Sequence, residues 1–334
     1  MSQITRITLE QTDAIIQALW SPHKRVGEPM VYIILDGARN RKIFPMLNDS
    51  GAHFWCLLNG KLSYELAQSA PYMLRLNKNA DFTREIIQQA WGNSWGIFTI
   101  TYKPITLFKV RYHCKNNLSV QDEQTGCKLF FRFYDPRVMR VYLPTCNELD
   151  AEKIFGPVSE FMMEGKKPDQ IMRFISTKQG VVNINNPKLT ETQVNKVIAA
   201  QKKPRSLLQD NILKIREEQM SALKHQALEK DYQRIKQQFI ADFMDDNAFH
   251  LKVNDKNVNI ETFSRVCFNE ALNFKLGDHY SIYRYFQLSY QQGWKFWEQP
   301  ENLWAKEILE STSQGKIKIE KIERSFSVSL MEQF

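Results

Sequence analysis

Two short charged clusters contain the residues of this sequence whose types and spacing could do chemistry. The first, DGAR at positions 36–39, follows the apolar run Val31–Leu35. The second, RFYDPR at positions 132–137, runs from a predicted strand end into a predicted helix. Sites are often assembled where strands end, and carboxylates are ligands of hard divalent cations. This pattern is compatible with a metal-dependent phosphodiesterase or nuclease that uses Asp36 and Asp135.

A structural interpretation of the same clusters is simpler, and we favour it. Asp135 before Pro136 has the pattern of a helix N-cap with proline in the first turn. Arg132 and Arg137 would then pair with Asp36 or Asp135 in a buried or half-buried network. Such a network fixes how two loops meet, although its net contribution to stability is often small. On this interpretation the clusters are structural rather than catalytic.

One catalytic motif matches formally, because GNSWG at positions 92–96 is G-x-S-x-G. A nucleophile elbow requires a strand before the serine and a helix after it, which hold the serine at a sharp exposed turn. Here the order is reversed, since a helical pattern ends at Trp91 and a strand pattern begins after the motif. Gly92 has the position of a glycine that ends a helix, and Trp91 and Trp95 have that of packing residues. We therefore expect that Ser94 is not a nucleophile.

Other signatures of enzymes and metal sites are missing from the sequence. It contains no G-x-x-x-x-G-K-[ST] or G-x-G-x-x-G loop and no H-E-x-x-H motif. The six histidines are dispersed without metal-site spacing. The five cysteines are an odd number without a C-x-x-C pair, which is typical of reduced thiols. We expect a protein that is not an enzyme, with no catalytic residue, no cofactor and no metal.

The composition is that of an ordinary folded protein. The 334 residues are 43% hydrophobic and 25% charged, which excludes collagen-like, low-complexity and disulfide-stapled classes. No apolar run approaches the roughly 20 residues that cross a bilayer, and the N-terminus lacks the pattern of a secretory signal. We therefore expect a cytoplasmic protein without membrane insertion. The net charge of +8 is compatible with an acidic partner or an ordinary solvated surface.

Two parts of different character follow one another along the chain. In the first, short β-type runs alternate with short helical patterns, which predicts a mixed sheet with helices packed on it. In the second, nearly every pattern is helical, and the absence of glycine and proline from Arg205–Phe243 predicts one very long helix or two with a bend. The turn-rich stretch Gln179–Lys188 marks the boundary. The prediction is an α+β fold, with a mixed α/β domain at 1–178 and an all-helical lobe at 186–334.

A nucleic-acid-binding module is a further alternative. Its candidate contacts are six basic residues near the start of the second part: Lys196, Lys202, Lys203, Arg205, Lys214 and Arg216. No recognised nucleic-acid-binding motif accompanies this charge. We therefore do not expect a nucleic-acid partner.

One short segment of the helical part is crowded with aromatic residues. Eight of them fall within residues 280–297, and they cannot all lie on one face of a helix, whereas a bundle core needs only one stripe. Exposed aromatic side chains are favoured at interface hot spots. The candidate partner contacts are Tyr283, Tyr290, Trp294 and Trp297. The alternative is that several of these aromatic residues fill the junction between the two domains.

Five sequence blocks, taken in order, resemble a known family. They are YIILDGARNRKIFPML, APYMLRL, AWGNSWGIF, LFFRFYDPRVMRVYLPT and IFGPV, and they fall within residues 31–164. This order is similar to the N-terminal domain of the type VI secretion effector adaptors, also called effector chaperones or Tap/TEC proteins. The most specific element is FRFYDPRV at positions 131–138. The family-motif residues, with a structural or partner-binding role, are Asp36, Arg39, Trp91, Trp95, Arg132, Tyr134, Asp135 and Arg137.

The resemblance implies a non-enzymatic role in the bacterial cytoplasm. Proteins of this family bind one specific toxic effector and help to load it onto the spike of the secretion machine, the VgrG protein or its PAAR tip. The implied partners are therefore a cognate effector toxin and a spike or tip protein. The motif-bearing first domain would serve what is common to the system, and the helical lobe would supply recognition particular to this cargo or spike.

Overall fold

The described part of the chain forms two compact units. The computed structural model describes residues 6–21, 28–102, 105–202, 212–243, 251–253 and 256–331. The units divide the chain into residues 1–223 and 224–334. The first contains a large sheet with packed helices and the second is mostly helical, which confirms the predicted α+β class. Among the helices of the described residues, none combines the length and the apolar character that a membrane span requires.

The main sheet of the first unit has seven antiparallel strands. The strands of this unit are β1 (Pro29–Asp36), β2 (Phe54–Cys56), β3 (Pro71–Arg75), β4 (Gly96–Tyr102), β5 (Ser119–Asp122), β6 (Lys128–Phe130), β7 (Glu160–Glu164), β8 (Ile171–Thr177), β9 (Gly180–Asn183) and β10 (Leu213–Ile215). The order in the main sheet is β2-β3-β1-β4-β7-β8-β9, and each neighbouring pair is antiparallel. A mixture of parallel and antiparallel pairing, as predicted from the sequence, occurs instead in a small sheet of order β10-β5-β6.

Helices cover both faces of the main sheet. They are α1 (Leu9–Trp20), α2 (Ile43–Asp49), α3 (Tyr64–Ser69), α4 (Asp81–Ala90), α5 (Leu107–Asn116), α6 (Pro136–Tyr142), α7 (Glu148–Phe155) and α8 (Glu191–Ala199). Successive side chains of β1 point into two separate cores, with Tyr32 and Ile34 in one and Ile33 and Leu35 in the other. Because both faces are covered, β1 is apolar throughout instead of alternating between apolar and polar residues.

The long helix α9 (Glu217–Phe243) begins later than the sequence pattern predicts. Leu213 and Ile215 are buried on either side of the exposed Lys214, which is the period of a strand, and they form β10 beside β5. The predicted helical position of Ile215 is therefore wrong, and Leu208, which belonged to the same pattern, lies outside the described residues. This strand pairing also places residues 213–215 in the first unit.

The second unit is a helical core with one small hairpin. Besides most of α9, it contains β11 (Leu251–Val253), β12 (Lys256–Val258), α10 (Ile260–Asn273), α11 (His279–Gln291), α12 (Leu303–Glu310) and α13 (Gly315–Met331). Tyr232, Ile235 and Phe239 of α9 are buried in its core at the spacing of one helix face. The lobe that the sequence predicts as all-helical therefore also includes the two-stranded β11–β12 sheet.

One lysine lies inside the second unit at the ends of two helices. Lys318, on α13, is 1% exposed, and its Nζ donates to the carbonyl oxygens of Phe274 at 2.9 Å and Leu309 at 2.7 Å. These carbonyls lie at the C-terminal ends of α10 and α12, where backbone acceptors lack partners within the helix and carry partial negative charge. One ammonium group therefore caps two helices.

A buried ion pair joins β7 to β8 in the first unit. The side chains of Glu160 and Arg173 are 1% and 5% exposed, and Nε of Arg173 donates to Oε2 of Glu160. The hydroxyl of Tyr102 donates to Oε1 of Glu160 at 3.0 Å, and Nη1 of Arg173 donates to the Ala18 carbonyl at the end of α1 at 2.9 Å. The pair therefore connects three strands and a helix.

A histidine on α5 is buried in the first unit, and no charged group of the described residues forms an ion pair with it. His113 is 8% exposed, and its Nε2 lies 2.8 Å from the carbonyl oxygen of Ile154, close enough for an N–H donor in the corresponding tautomer. Burial lowers the pKa of His113 to about 4, because the charged imidazolium is poorly solvated there. The folded protein therefore keeps this side chain neutral at pH values where an exposed histidine is protonated.

We expect His113 to make the first unit sensitive to acid. Between pH 6.5 and about 4 the unfolded state binds a proton at His113 that the folded state does not. The free energy of unfolding is therefore unaffected by His113 above this range and decreases as the pH falls through it. Between pH 7.5 and pH 5 the loss is about 2 kcal/mol. Urea unfolding of wild type and His113→Gln at both pH values measures it, since the advantage of wild type over the variant should shrink by that amount. An advantage that stays constant with pH would contradict the assignment.

Candidate functional site

One end of the main sheet brings the two charged clusters together. β1 ends there at Asp36, and because neighbouring strands are antiparallel, β4 starts there at Gly96 and β7 ends there at Glu164. An ion pair between Arg132 and Asp36 brings the segment before α6 to the same place. We call the following residues the acid–arginine cluster: Asp36, Arg39, Arg132, Asp135, Arg137, Arg140 and Glu164.

Asp36 is fully buried at the end of β1. Its Oδ1 accepts a hydrogen bond from the backbone N–H of Ala38 at 3.2 Å, and its Oδ2 accepts one from Nη2 of Arg132. Burial raises the pKa of the Asp36 carboxyl, and Arg132 opposes this rise. Glycine is required at position 37, since a Cβ atom there would lie 2.6 Å from two backbone carbonyl oxygens of residues 68–70. The DGAR cluster therefore forms a tight, fixed turn.

Asp135 caps helix α6, as the sequence predicts. Its Oδ1 accepts hydrogen bonds from the backbone N–H and from Nε of Arg137, both at 2.9 Å, and its Oδ2 accepts one from Nη2 of the same arginine. Pro136 occupies the first helical position. Burial works to raise the pKa of Asp135, but the hydrogen bonds and charge of Arg137 outweigh it and hold the pKa below its usual value. Asp135 is therefore an ionised N-cap residue that also forms a bidentate ion pair with Arg137.

The GNSWG turn is held by Glu164, a residue that the sequence motifs did not include. The Oγ and the backbone N–H of Ser94 donate to Oε1 of Glu164 at 2.8 and 3.0 Å, and the N–H of Gly92 donates to Oε2. Ser94 has the left-handed φ of 54° and Gly92 follows α4 with a φ of 84°. The turn leads from a helix into a strand, the reverse of a nucleophile elbow, and the Ser94 hydroxyl is bonded to a carboxylate. Ser94 therefore holds the turn in place.

The three aromatic family-motif residues are packing residues. Trp91, Trp95 and Tyr134 are each 2% exposed and lie in the hydrophobic cores of the first unit. The indole Nε1 of Trp91 donates to the Pro168 carbonyl at 2.7 Å. Burial and the nearby charge of Asp36 raise the pKa of Tyr134 above its ordinary value. These residues support the charged side chains from the core.

The two remaining arginines of the cluster bind backbone carbonyls instead of carboxylates. Arg39 donates from Nε to the Ser94 carbonyl and from Nη2 to the Asn93 carbonyl, both at 3.3 Å. Arg140 donates from Nη1 to the carbonyls of Glu164 and Gly165. The Arg39 contacts link the DGAR turn to the GNSWG turn, and the Arg140 contacts link α6 to the end of β7.

The two aspartates proposed for a phosphodiesterase are each bonded to an arginine. Within the described ranges, no group of three or more His, Cys, Asp or Glu side chains is arranged to hold a metal ion. Asp36 is bonded to Arg132 and Asp135 to Arg137, so much of their acceptor capacity is used inside the protein. This geometry favours the structural interpretation of both residues.

The basic residues considered for nucleic-acid binding do not share one arrangement. Lys202 pairs with Glu148 at 2.5 Å and with Glu152, and Arg216 pairs with Asp150 at 3.0 Å. Lys196 and Lys214 are exposed, while Lys203 and Arg205 lie outside the described residues. Two of the six candidates therefore have acidic partners in the first unit.

The four candidate aromatic contacts pack within the second unit. Tyr283 is 8% exposed and its hydroxyl donates to Asp242. The rings of the other three lie against phenylalanines of the same unit, with centroid separations of 5.6 Å for Tyr290 and Phe239, 6.4 Å for Trp294 and Phe263, and 5.1 Å for Trp297 and Phe274. Tyr280 of this segment is the more exposed aromatic residue, at 44%. This packing favours a role in the core over a role as partner contacts.

Sequence reasoning missed Glu164 and Arg140, which complete the acid–arginine cluster. Glu164 ends a strand of sequence EFMME in which every residue is buried. An acidic residue at the end of such a strand is the available signal, because a buried charge needs a partner. The identity of that partner depends on how distant segments pair, which one sequence does not show.

Comparison with known proteins identifies a family model within the first unit. The model for a domain of unknown function, DUF4123, matches residues 31–152. This domain is associated with adaptors of type VI secretion effectors. The match lies within the predicted span 31–164 and contains the whole acid–arginine cluster except Glu164. No curated protein and no solved structure matches the chain.

Proposed function

We propose that this protein is a non-enzymatic adaptor that binds a specific toxic effector. In this role it helps to load the effector onto the VgrG spike or PAAR tip of a type VI secretion system, acting in the bacterial cytoplasm. The observation that carries the proposal is the match of residues 31–152 to a domain associated with such adaptors. The motif residues in that match lie in one cluster and the cores beneath it.

The state of the carboxylates supports a binding protein over a hydrolase. A general base or a metal ligand needs a carboxylate oxygen directed at the substrate or ion. Here Asp36 and Asp135 face arginines, and Glu164 accepts three hydrogen bonds from the GNSWG turn. These contacts use the acids to fix the positions of loops.

Deletion of the gene in the producing bacterium tests the proposed function. We expect secretion of one effector to be lost, while secretion of the spike protein and of unrelated effectors continues, as measured by mass spectrometry of culture supernatants. Expression of the wild-type protein from a plasmid should restore that effector. Unchanged secretion of every effector in the deletion strain would overturn the proposal.

Ser94→Ala distinguishes an adaptor from a serine hydrolase. The variant loses one hydrogen bond to Glu164, which keeps the backbone N–H donors of Gly92 and Ser94, so we expect a loss of about 1 kcal/mol in the free energy of unfolding. Effector secretion should remain at the wild-type level. Loss of secretion from a variant that melts like wild type would assign a chemical role to the hydroxyl.

A further inference from the structure

The acid–arginine cluster has its acids inside and its arginines outside. The side chains of Asp36 and Asp135 are 0% and 4% exposed, whereas those of their partners Arg132 and Arg137 are 38% and 23% exposed. Arg39 and Arg140 are also partly exposed, and Glu164 is buried. The surface at this end of the sheet therefore presents guanidinium groups over a buried layer of carboxylates.

Arg39 makes the longest hydrogen bonds among the four arginines of this surface. Its two hydrogen bonds are to neutral carbonyls at 3.3 Å, longer than the usual 2.9 Å or so. No carboxylate of the described residues lies within ion-pair distance of it. Nearby, the buried Nε of Arg132 has no hydrogen-bond partner in the part of the chain that the structure describes. Burial lowers the pKa of Arg39 and the charge of Arg137 lowers it further, while the charges of Asp135 and Asp36 oppose this shift.

We propose that Arg39, Arg132, Arg137 and Arg140 form a surface that binds carboxylate groups on an acidic segment of the effector. The inference rests on the proposed function, which supplies the protein partner. Guanidinium groups bind carboxylates through two parallel hydrogen bonds. The existing contacts already hold these side chains in place, so binding costs less side-chain entropy. The net charge of +8 also favours an acidic partner.

Arg39→Gln tests this surface without breaking an ion pair of the described residues, because the hydrogen bonds of Arg39 are to the carbonyls of Asn93 and Ser94. We expect it to weaken binding of the effector whose secretion the gene deletion abolishes at least about tenfold in 50 mM NaCl, measured by titration calorimetry on full-length protein. Raising the NaCl concentration from 50 to 500 mM should also weaken binding less in Arg39→Gln than in wild type. Arg39→Lys, which keeps the charge without the fork, should bind with intermediate affinity.

Arg75→Gln is the matched control. The first residue of β3, Pro71, pairs with Asp36, and Arg75 is the exposed last residue of this strand. Arg75 therefore lies toward the opposite end of the sheet from the acid–arginine cluster. The Arg75→Gln variant should bind the effector like wild type. Wild-type affinity in a folded Arg39→Gln would overturn the surface while leaving the adaptor function intact. Failure of wild type to bind the effector would overturn the adaptor function itself.

A nucleic acid is the competing partner for an arginine surface. Wild type and Arg39→Gln also distinguish a nucleic acid from an acidic protein segment. We expect a short DNA duplex not to bind wild type at 150 mM NaCl in a fluorescence-anisotropy titration. Duplex binding that Arg39→Gln abolishes would overturn the carboxylate assignment in favour of phosphate.

Discussion

Arg173→Met is expected to lower the free energy of unfolding of the first unit by about 3–5 kcal/mol. The substitution leaves Glu160, which is 1% exposed, as a buried charge whose remaining partners include the hydroxyl of Tyr102. It also removes the donor to the Ala18 carbonyl at the end of α1. Urea unfolding at pH 7, followed by circular dichroism, measures the change.

The double variant Arg173→Met/Glu160→Leu separates the cost of an unpaired charge from the value of the pair. Replacing a buried ion pair with apolar side chains of similar volume is often neutral or stabilising. We therefore expect the double variant to recover much of the stability that the single variant loses. Equal destabilisation in both variants would show that the loss of the pair itself, rather than the Glu160 charge that Arg173→Met leaves behind, accounts for the effect.

Asp135→Ala is expected to cost about 2–4 kcal/mol. Loss of an N-cap alone costs about 0.5–2 kcal/mol, and breaking a buried ion pair about 3–5 kcal/mol. The intermediate value follows because Asp135 is buried while its partner Arg137 is 23% exposed and keeps part of its hydration. Thermal unfolding measures the loss, and we expect effector binding to fail because the first unit unfolds.

Asp135→Asn is the matched variant for that experiment. The asparagine side chain can still accept the hydrogen bond from the backbone N–H of Arg137, so it keeps the cap and loses the ion pair. Its stability should lie between those of wild type and Asp135→Ala. A melting temperature equal to that of wild type, combined with lost effector binding, would instead make Asp135 an interface residue.

The local features of the acid–arginine cluster were predictable because they depend on neighbours in sequence. A buried strand at 31–35, a helix cap at Asp135 followed by Pro136, and a glycine ending a helix at Gly92 each have their partners within a few residues. The pairs Asp36–Arg132 and Glu164–Ser94 connect residues far apart in the chain. They depend on strand order and register, so the sequence indicated that Asp36 needs a partner without deciding between Arg132 and Arg137.

In two other places the spacing of apolar residues did not determine the structure. Ile215 fits both a three- or four-residue spacing and a two-residue alternation, and pairing with β5 selected the strand. The aromatic residues of 280–297 exceed one helix face, yet α9, α10 and the segment after α11 pack around them. A crowded aromatic segment can thus lie within a core when several elements surround it.

The position of Lys318 also bears on how the second unit opens. Its amine, on α13, is buried and bonded to the C-terminal ends of α10 and α12. If any one of these three helices moves away, at least one of these hydrogen bonds breaks. Local fraying of any of them exposes a carbonyl or an ammonium that had been satisfied, which favours opening of the helices together. Acylating reagents that modify surface lysines would reach this amine only in the open state. Its labelling rate therefore records how often the second unit opens under native conditions.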